Sequence, residues 1–272
     1  MSAKCATWEE AVAWLKSQPD QAELVRDCFF DDPLVAAAER YYSSTEWEAV
    51  RRFIGITGGE ALDIGAGRGI SSYALARDGW EVTALEPDAS PLVGAGAIRE
   101  LTAAARLPIR VVEDWGEALP FADATFDLVY GRQVLHHARD LPTFCREMAR
   151  VLKPGGRLLA TREHVIFKEA DLDRFLARHP LHHLYGGEHA YHLGDYKRAI
   201  EGAGIRLTHV LNPWASPINL YPRTVSEVRA AIRARLPFVP SFVLAPSVLR
   251  RLGWLLRSPG TSYSFVGVRE AA

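Results

Sequence analysis

The stretch from Ala61 to Ser72, ALDIGAGRGISS, decides the fold of this chain. Apolar residues lead to Asp63, three glycines follow at alternate positions, and helix-forming residues begin at Ser71. This pattern predicts a β-strand, a tight glycine-rich turn and the N-terminus of a helix. Glycine suits such a turn because it tolerates positive φ and lets the backbone approach a bound ligand closely.

The spacing of the glycines separates two classes of nucleotide-binding loop. A dinucleotide loop has the pattern G-x-G-x-x-G, but here the third glycine comes one residue early and Ile70 takes its place. The pattern Asp-x-Gly-x-Gly-x-Gly resembles motif I of the class I S-adenosylmethionine (SAM) dependent methyltransferases. The resemblance implies SAM as cofactor, bound by Asp63, Gly65, Ala66 and Gly67. An NAD-dependent oxidoreductase stays as a less favoured alternative.

Composition and length narrow the class of protein further. The chain has 272 residues, of which 48% are hydrophobic, enough for one large α/β domain with insertions. A formal net charge of -1 offers no general attraction for nucleic acid, so we expect no such partner. The three cysteines lack C-x-x-C spacing and fit a reducing compartment. No signal segment or membrane-spanning apolar run is evident, so we expect a cytoplasmic protein.

A second acidic residue follows the next predicted strand. Residues 80–86, WEVTALE, predict a second β-strand that ends in a carboxylate. This carboxylate, Glu86, lies 23 positions beyond Asp63. In doubly wound nucleotide-binding folds this is the position of the acid that accepts hydrogen bonds from ribose hydroxyls. We therefore predict that Glu86 and the adjacent Pro87 contribute to the cofactor site.

Further motifs extend the resemblance over roughly residues 60 to 162. Leu-Pro-Phe, Phe-Asp-Leu-Val, Val-Leu-His-His and Lys-Pro-Gly-Gly follow in order between residues 119 and 156. They resemble the small-molecule methyltransferases that include the ubiquinone and menaquinone C-methyltransferases. The resemblance implies that Asp114 and Trp115, after the third strand, contact the adenine, and that Arg132 and Gln133, after the fourth strand, lie beside the sulfonium.

These elements predict an α/β fold with a Rossmann-like, doubly wound, seven-stranded sheet whose last strand is antiparallel. We expect an N-terminal helical cap at 1–52, a SAM-binding core at 53–212, a helical lid at 213–261 between strands six and seven, and a final strand and tail at 262–272. In methyltransferases of this kind an aromatic residue of the cap can approach the cofactor. Tyr42 is the candidate, with ordinary packing as the alternative.

The predicted function is SAM-dependent methyl transfer to a small-molecule acceptor, such as a hydroxyl of a sugar or secondary metabolite. Transfer to a hydroxyl needs a nearby base, and His164 and His136 are the candidates by their position at strand ends. A cofactor-binding pseudoenzyme or regulatory subunit is the alternative, because cofactor residues alone do not establish turnover.

Two segments beyond the fifth strand bear on the acceptor. One contains His182, His183, Glu188, His189 and His192, without helical spacing or cysteines, so we expect no metal there and contact with solvent or with an anionic or polyhydroxylated acceptor. The lid combines arginines with Phe238, Val239, Phe242, Val243 and Leu244. Contact with a membrane surface is an alternative to arginine stems covering the lid. Nothing in the sequence predicts an oligomeric state.

Overall fold

The computed structural model describes residues 7–235, 237–238, 245–255 and 257–271. Four of the apolar lid residues, Val239, Phe242, Val243 and Leu244, lie outside the described residues, as does Cys5. None of the described helices is both long and apolar enough to cross a bilayer.

A single mixed sheet forms the centre of the described structure, with strand order β3-β2-β1-β4-β5-β8-β7. Neighbouring strands from β3 to β5 pair in parallel, whereas β8 lies antiparallel between β5 and β7. The strands are β1 (Glu60–Ile64), β2 (Glu81–Leu85), β3 (Ile109–Val112), β4 (Phe126–Arg132), β5 (Leu152–Ile166), β6 (Tyr191–His192), β7 (Ile205–Leu211) and β8 (Thr261–Arg269). The predicted doubly wound sheet with an antiparallel last strand is confirmed, and the two-residue β6, which pairs with β5, is an addition.

Helices cover both faces of the sheet. Residues of α3 to α6 join the hydrophobic cluster on one face, and residues of α7 and α10 join the cluster on the other. The helices are α1 (Trp8–Lys16), α2 (Ala22–Asp27), α3 (Leu34–Tyr42), α4 (Thr45–Ile54), α5 (Ile70–Arg77), α6 (Ala95–Ala105), α7 (Leu141–Val151), α8 (Ala170–Leu176), α9 (Pro180–Leu184), α10 (Leu193–Gly202), α11 (Pro217–Leu220), α12 (Val225–Arg235) and α13 (Pro246–Leu252).

Helix starts follow local capping chemistry. The Thr7 hydroxyl accepts the Glu10 N–H, and the Glu10 carboxylate accepts the Thr7 N–H, so α1 begins with the capping box that its sequence predicts. Asp140 caps α7 by accepting the N–H of Thr143. Such caps satisfy backbone donors that have no partner inside the helix.

The N-terminal helices are attached to the sheet by buried charges. On α4, Glu46 is fully buried, and its carboxylate accepts two hydrogen bonds, of 2.8 and 3.2 Å, from Arg132 at the end of β4. Arg162 of β5 approaches the same carboxylate at 3.9 Å. Arg68, in the glycine-rich loop, donates to the carbonyl oxygens of Phe29 and Asp31. These contacts hold the cap over the carboxyl edge of the parallel strands.

The segment between β7 and β8 contacts the core mainly through α11. Asn219 donates to the carbonyl oxygens of Leu211 and Asn212, and its own side-chain oxygen accepts from Ser264 of β8. In contrast, α12 contains no buried residue. Among the described residues, the chain therefore packs closely on the sheet just after β7, whereas α12 lies on the surface.

We predict that Glu46→Ala lowers the free energy of unfolding by about 3–5 kcal/mol, because it leaves two buried guanidinium groups without their counter-ion. The matched control is Glu48→Ala on the same helix, where an exposed pair with Arg52 is lost and the expected cost is below about 1 kcal/mol. Urea unfolding of both variants measures the difference. Equal costs would show that the buried pair does not attach the cap.

Candidate functional site

The glycine-rich loop after β1 has the backbone conformation that its sequence predicts. Gly65 and Gly67 have φ values of 66° and 54°, in the left-handed region. The N–H groups of Gly65 and Ala66 donate to the carbonyl oxygen of Leu85 at 2.9 and 3.1 Å. A Cβ atom on Gly65 would lie 2.3 Å from the Val134 side chain. Glycine is therefore required at this position both by the turn and by the close packing.

Asp63, at the end of β1, is hydrogen-bonded to the helix that follows the loop. Its buried carboxylate accepts hydrogen bonds of 2.7 and 2.5 Å from the hydroxyls of Ser71 and Ser72, in the first turn of α5. The other oxygen, Oδ1, is buried without a hydrogen-bond partner among the described residues. Burial raises the pKa of Asp63 to about 6, although the serine hydroxyls lower it.

Glu86, at the end of β2, connects that strand to the same loop. Its carboxylate accepts the N–H of Gly67 at 2.7 Å and that of Asp88 at 3.1 Å. Burial raises the pKa of Glu86 to about 7. Two carboxylate oxygens have about four acceptor sites, so the side chain has capacity left for a vicinal diol. The neighbouring Pro87 is half-buried at the same strand end.

Asp114 and Trp115 follow β3 at the same edge of the sheet. The Trp115 indole is 52% exposed, and the Arg139 guanidinium lies 4.2 Å from the ring centroid. Asp114 accepts the N–H of Trp115 at 2.8 Å. A large exposed aromatic ring at a strand end is available for stacking against a planar group. The adenine contact predicted for these two residues stays a prediction.

The structure directs Arg132 toward the N-terminal cap. Besides its bonds to Glu46, its guanidinium lies 5.5 Å from the ring centroids of both Phe29 and Tyr41. Burial disfavours the cation, but the Glu46 carboxylate raises the pKa of Arg132 above its ordinary value. Gln133, with φ of 56°, donates its N–H to Thr161 and accepts from Arg132. Both residues stand at the end of β4, as predicted.

Tyr42, the aromatic candidate of the cap, packs mainly against charged side chains. Its ring is half-buried between Arg51 and Arg77, whose guanidinium groups lie 4.4 and 4.8 Å from the ring centroid. The ring also makes an edge contact with Tyr73 of α5, with 6.4 Å between the ring centroids. The neighbouring Tyr41 reaches β4 through a 2.9 Å hydrogen bond with Tyr130. The cofactor contact predicted for Tyr42 stays a prediction.

The two candidate bases lie close together at the ends of β4 and β5. The ring centroids of His136 and His164 are 4.6 Å apart. His136 Nδ1 is 2.7 Å from the carboxylate of Glu163, and His164 Nδ1 is 3.1 Å from the carbonyl oxygen of Gly260. Burial lowers the pKa of both imidazoles well below the usual value. A low pKa makes both imidazoles weak general bases.

The side chains of the segment that runs from His182 to His192 do not all meet at one point. His183 is exposed and lies 2.9 Å from the Ala177 carbonyl oxygen, and His192 pairs with Glu169. Glu188 approaches the buried histidines, with its carboxylate 3.8 Å from His136 Nε2. His189 is near enough to interact electrostatically with His136 and His137, and His182 interacts in the same way with His179.

Two buried carboxylates were missed by the sequence analysis. Glu46 lies in a helix whose other acidic residue, Glu48, is exposed, and no local pattern distinguishes the two. Glu163 accepts the N–H groups of Val134 and His136, both at 3.1 Å, and thereby holds the turn that follows β4. Its position next to His164 at a strand end was the available signal.

Comparisons with known proteins agree with this geometry. Residues 62–160 match the family described as a methyltransferase domain. The ubiquinone biosynthesis O-methyltransferase of Rhizobium leguminosarum bv. trifolii is 27% identical over 168 residues, which cover 60% of this chain and 66% of the relative. The Xylella fastidiosa protein of the same name is 28% identical over 201 residues, covering 69% of this chain and 79% of the relative.

A solved structure shows the same fold. Geranyl diphosphate C-methyltransferase from Streptomyces coelicolor A3(2), in complex with Mg²⁺, geranyl diphosphate and S-adenosyl-L-homocysteine, has a TM-score of 0.60 at 15% identity, covering 88% of this chain and 85% of that one. The sheet, the glycine-rich loop and the matched sequence define a class I SAM-dependent methyltransferase. Residues 62–160, about a third of the chain, are the part that matches the methyltransferase-domain family, and the chain spans 66% of the length of the Rhizobium leguminosarum relative.

The residues present fit that cofactor. Asp63 carries a buried oxygen without a partner, and Glu86 keeps unused acceptor capacity beside the loop. The left-handed glycines leave the loop without side chains that would obstruct a nucleoside, and Trp115 offers an exposed ring. Acceptors and a stacking surface of this kind suit the ribose hydroxyls and the base of an adenosyl group.

We predict that Glu86→Gln stabilises the protein more at pH 8 than at pH 5, by a difference of about 2 kcal/mol. Burial raises the pKa of Glu86 in the folded protein to about 7, above its ordinary value of 4.5, so ionising Glu86 costs stability as pH rises through this window. Urea unfolding at both pH values measures the effect. As control, Glu100→Gln on the exposed face of α6 should give a constant offset. A pH-independent effect of Glu86→Gln would contradict a carboxyl group whose pKa is raised by burial.

Proposed function

We propose that this protein transfers a methyl group from SAM to a hydroxyl oxygen of a small-molecule acceptor. The observation that carries the proposal is the Glu86 carboxylate, which is buried at the end of β2 and hydrogen-bonded to Gly67 of the glycine-rich loop. SAM supplies a methyl group on a positively charged sulfur. The relatives are named as O-methyltransferases, which favours oxygen as the acceptor atom.

In this proposal Glu86 accepts hydrogen bonds from the ribose hydroxyls and Trp115 stacks on the adenine. Asp63 acts indirectly, because its bonds to Ser71 and Ser72 set the first turn of α5 and so the shape of the loop. The N-terminal cap excludes water from the edge of the sheet, which strengthens the electrostatic interactions inside. Holding the methyl donor and the acceptor hydroxyl in the right geometry then contributes most of the rate acceleration.

The buried charges beneath the cap favour an anionic acceptor. Glu46 provides one negative charge for two guanidinium groups, those of Arg132 and Arg162. Arg162 Nε is buried without a hydrogen-bond partner among the described residues, and burial lowers the pKa of this side chain. A carboxylate or phosphate on the acceptor would balance the excess positive charge. The proposed acceptor is therefore an anionic molecule with a reactive hydroxyl.

We predict that Trp115→Ala raises the Kd for SAM about tenfold or more, because stacking of a base on an aromatic ring contributes about 1–3 kcal/mol. Isothermal titration calorimetry with SAM and with NAD measures the affinities. Trp254→Ala, which removes an equally large, 45% exposed indole elsewhere, serves as control and should leave the Kd unchanged. Tighter binding of NAD than of SAM would refute the proposed cofactor site.

The acceptor is tested by mass spectrometry of products from SAM and a panel of hydroxyl compounds with and without a carboxylate or phosphate. We expect turnover of anionic members, with Arg162→Gln raising their KM about tenfold while the Kd for SAM is unchanged. Arg206→Gln, an exposed arginine of β7, is the control. SAM binding without turnover of any acceptor would favour a pseudoenzyme, and equal KM changes for neutral acceptors would contradict the charge argument.

A further inference from the structure

Three metal-ligating side chains converge at the carboxyl ends of β4 and β5. His136 lies in the turn after β4, His164 lies in β5, and Glu188 lies in the loop between α9 and β6. One ligand atom from each lies within 4.8 Å of those of the other two. The side chains of His136 and Glu188 are 2% and 8% exposed, and the whole His164 residue is 9% exposed. Three elements distant in sequence thus bring donor atoms to one enclosed point.

The hydrogen bonds of the two histidines orient their free nitrogens. The Gly260 carbonyl oxygen only accepts hydrogen bonds, so His164 Nδ1 carries the proton and the lone pair of the neutral ring is on Nε2. His136 Nδ1 is engaged by the Glu163 carboxylate at 2.7 Å, which leaves the Nε2 lone pair directed at Glu188. A carboxylate or carbonyl behind each imidazole is the usual support of a metal-binding histidine.

Glu188 has a carboxylate whose present contacts are long. Its oxygens approach His136 Nε2 at 3.8 Å and His179 Nδ1 at 3.9 Å. His179 Nδ1 is itself buried without a hydrogen-bond partner among the described residues. Both distances are longer than a hydrogen bond, so the carboxylate gains little from either ring. A cation bound between His136, His164 and Glu188 would give each of these three side chains a close partner.

We propose that His136, His164 and Glu188 bind one divalent transition-metal ion, and that Zn²⁺ is the ion that the donors suit best. Two imidazoles and one carboxylate form a common three-ligand set for zinc, whereas Mg²⁺ and Ca²⁺ prefer oxygen ligands. Zinc bonds of about 2.0–2.1 Å place tetrahedral ligands roughly 3.4 Å apart. The three ligand atoms lie within 4.8 Å of one another, and those of His136 and Glu188 are 3.8 Å apart, so binding requires inward movements of about 0.4 to 1.4 Å.

Binding of the ion would exclude the role of general base that the sequence analysis assigned to His136 and His164. A nitrogen bound to a metal has no lone pair with which to accept a proton, so neither His136 nor His164 would act as a base. Three protein ligands leave a coordination position open, and the ends of β4 and β5 face the region proposed for the acceptor. The proposal itself concerns metal binding and does not depend on the proposed methyl transfer.

The experiment uses the full chain, stripped of metal with a chelator and titrated with Zn²⁺ in competition with a chromogenic chelator. We expect one Zn²⁺ per chain, no displacement by millimolar Mg²⁺, and a loss of affinity of at least about 100-fold in Glu188→Gln and in His164→Gln. His183→Gln is the matched control, because this exposed histidine of the same segment lies outside the three-residue cluster and should bind as the unchanged chain does.

Two further measurements guard against misfolding and adventitious binding. Circular dichroism of Glu188→Gln shows whether the variant is folded, and this loop residue is the substitution least disruptive to the sheet. With Co²⁺ in place of zinc, visible absorption bands of the bound ion should disappear in Glu188→Gln and persist in His183→Gln. The proposal is overturned if the unchanged chain binds less than one Zn²⁺, if Mg²⁺ competes, or if a folded Glu188→Gln variant keeps its affinity.

Discussion

The parallel pairing of β3, β2, β1, β4 and β5 is the constraint on which the rest of this structure depends. Parallel strands end at the same edge of a sheet, so the residue after each strand meets the residues after its neighbours. Asp63 of β1 and Glu86 after β2 meet across the glycine-rich loop in this way. The histidines at the ends of β4 and β5 meet for the same reason.

Burial at that edge makes its charged groups costly unless they are paired. Asp63 and Glu86 both have a raised pKa because they are removed from water. Glu46 and Arg132 form a bidentate pair under the cap, where either one alone would be an uncompensated charge. The site is therefore less stable locally than an apolar packing would be, which is common where binding groups are held ready for a ligand.

The cofactor side and the acceptor side differ in how well they were predicted. The loop, Glu86 and Trp115 stand where motif spacing placed them, since each follows its own strand directly. In the cap, two adjacent residues of a helix point about 100° apart, and Tyr41 is the one that reaches β4, whereas Tyr42 packs between two arginines. The buried charge of Glu46 has no sequence signature, because burial is decided by the partner surface and not by the helix itself.

The sequence by itself determined the strand, loop and helix around residues 61–72, because these depend on local spacing. The expected sheet topology and the class of cofactor came from the resemblance of its motifs to known methyltransferases. Only the tertiary structure decided which titratable groups share one space. Glu188 is separated from His136 by more than fifty residues, yet their side chains lie 3.8 Å apart. Such pairings arise from how a loop folds back over a sheet, and no local pattern of residues records that path.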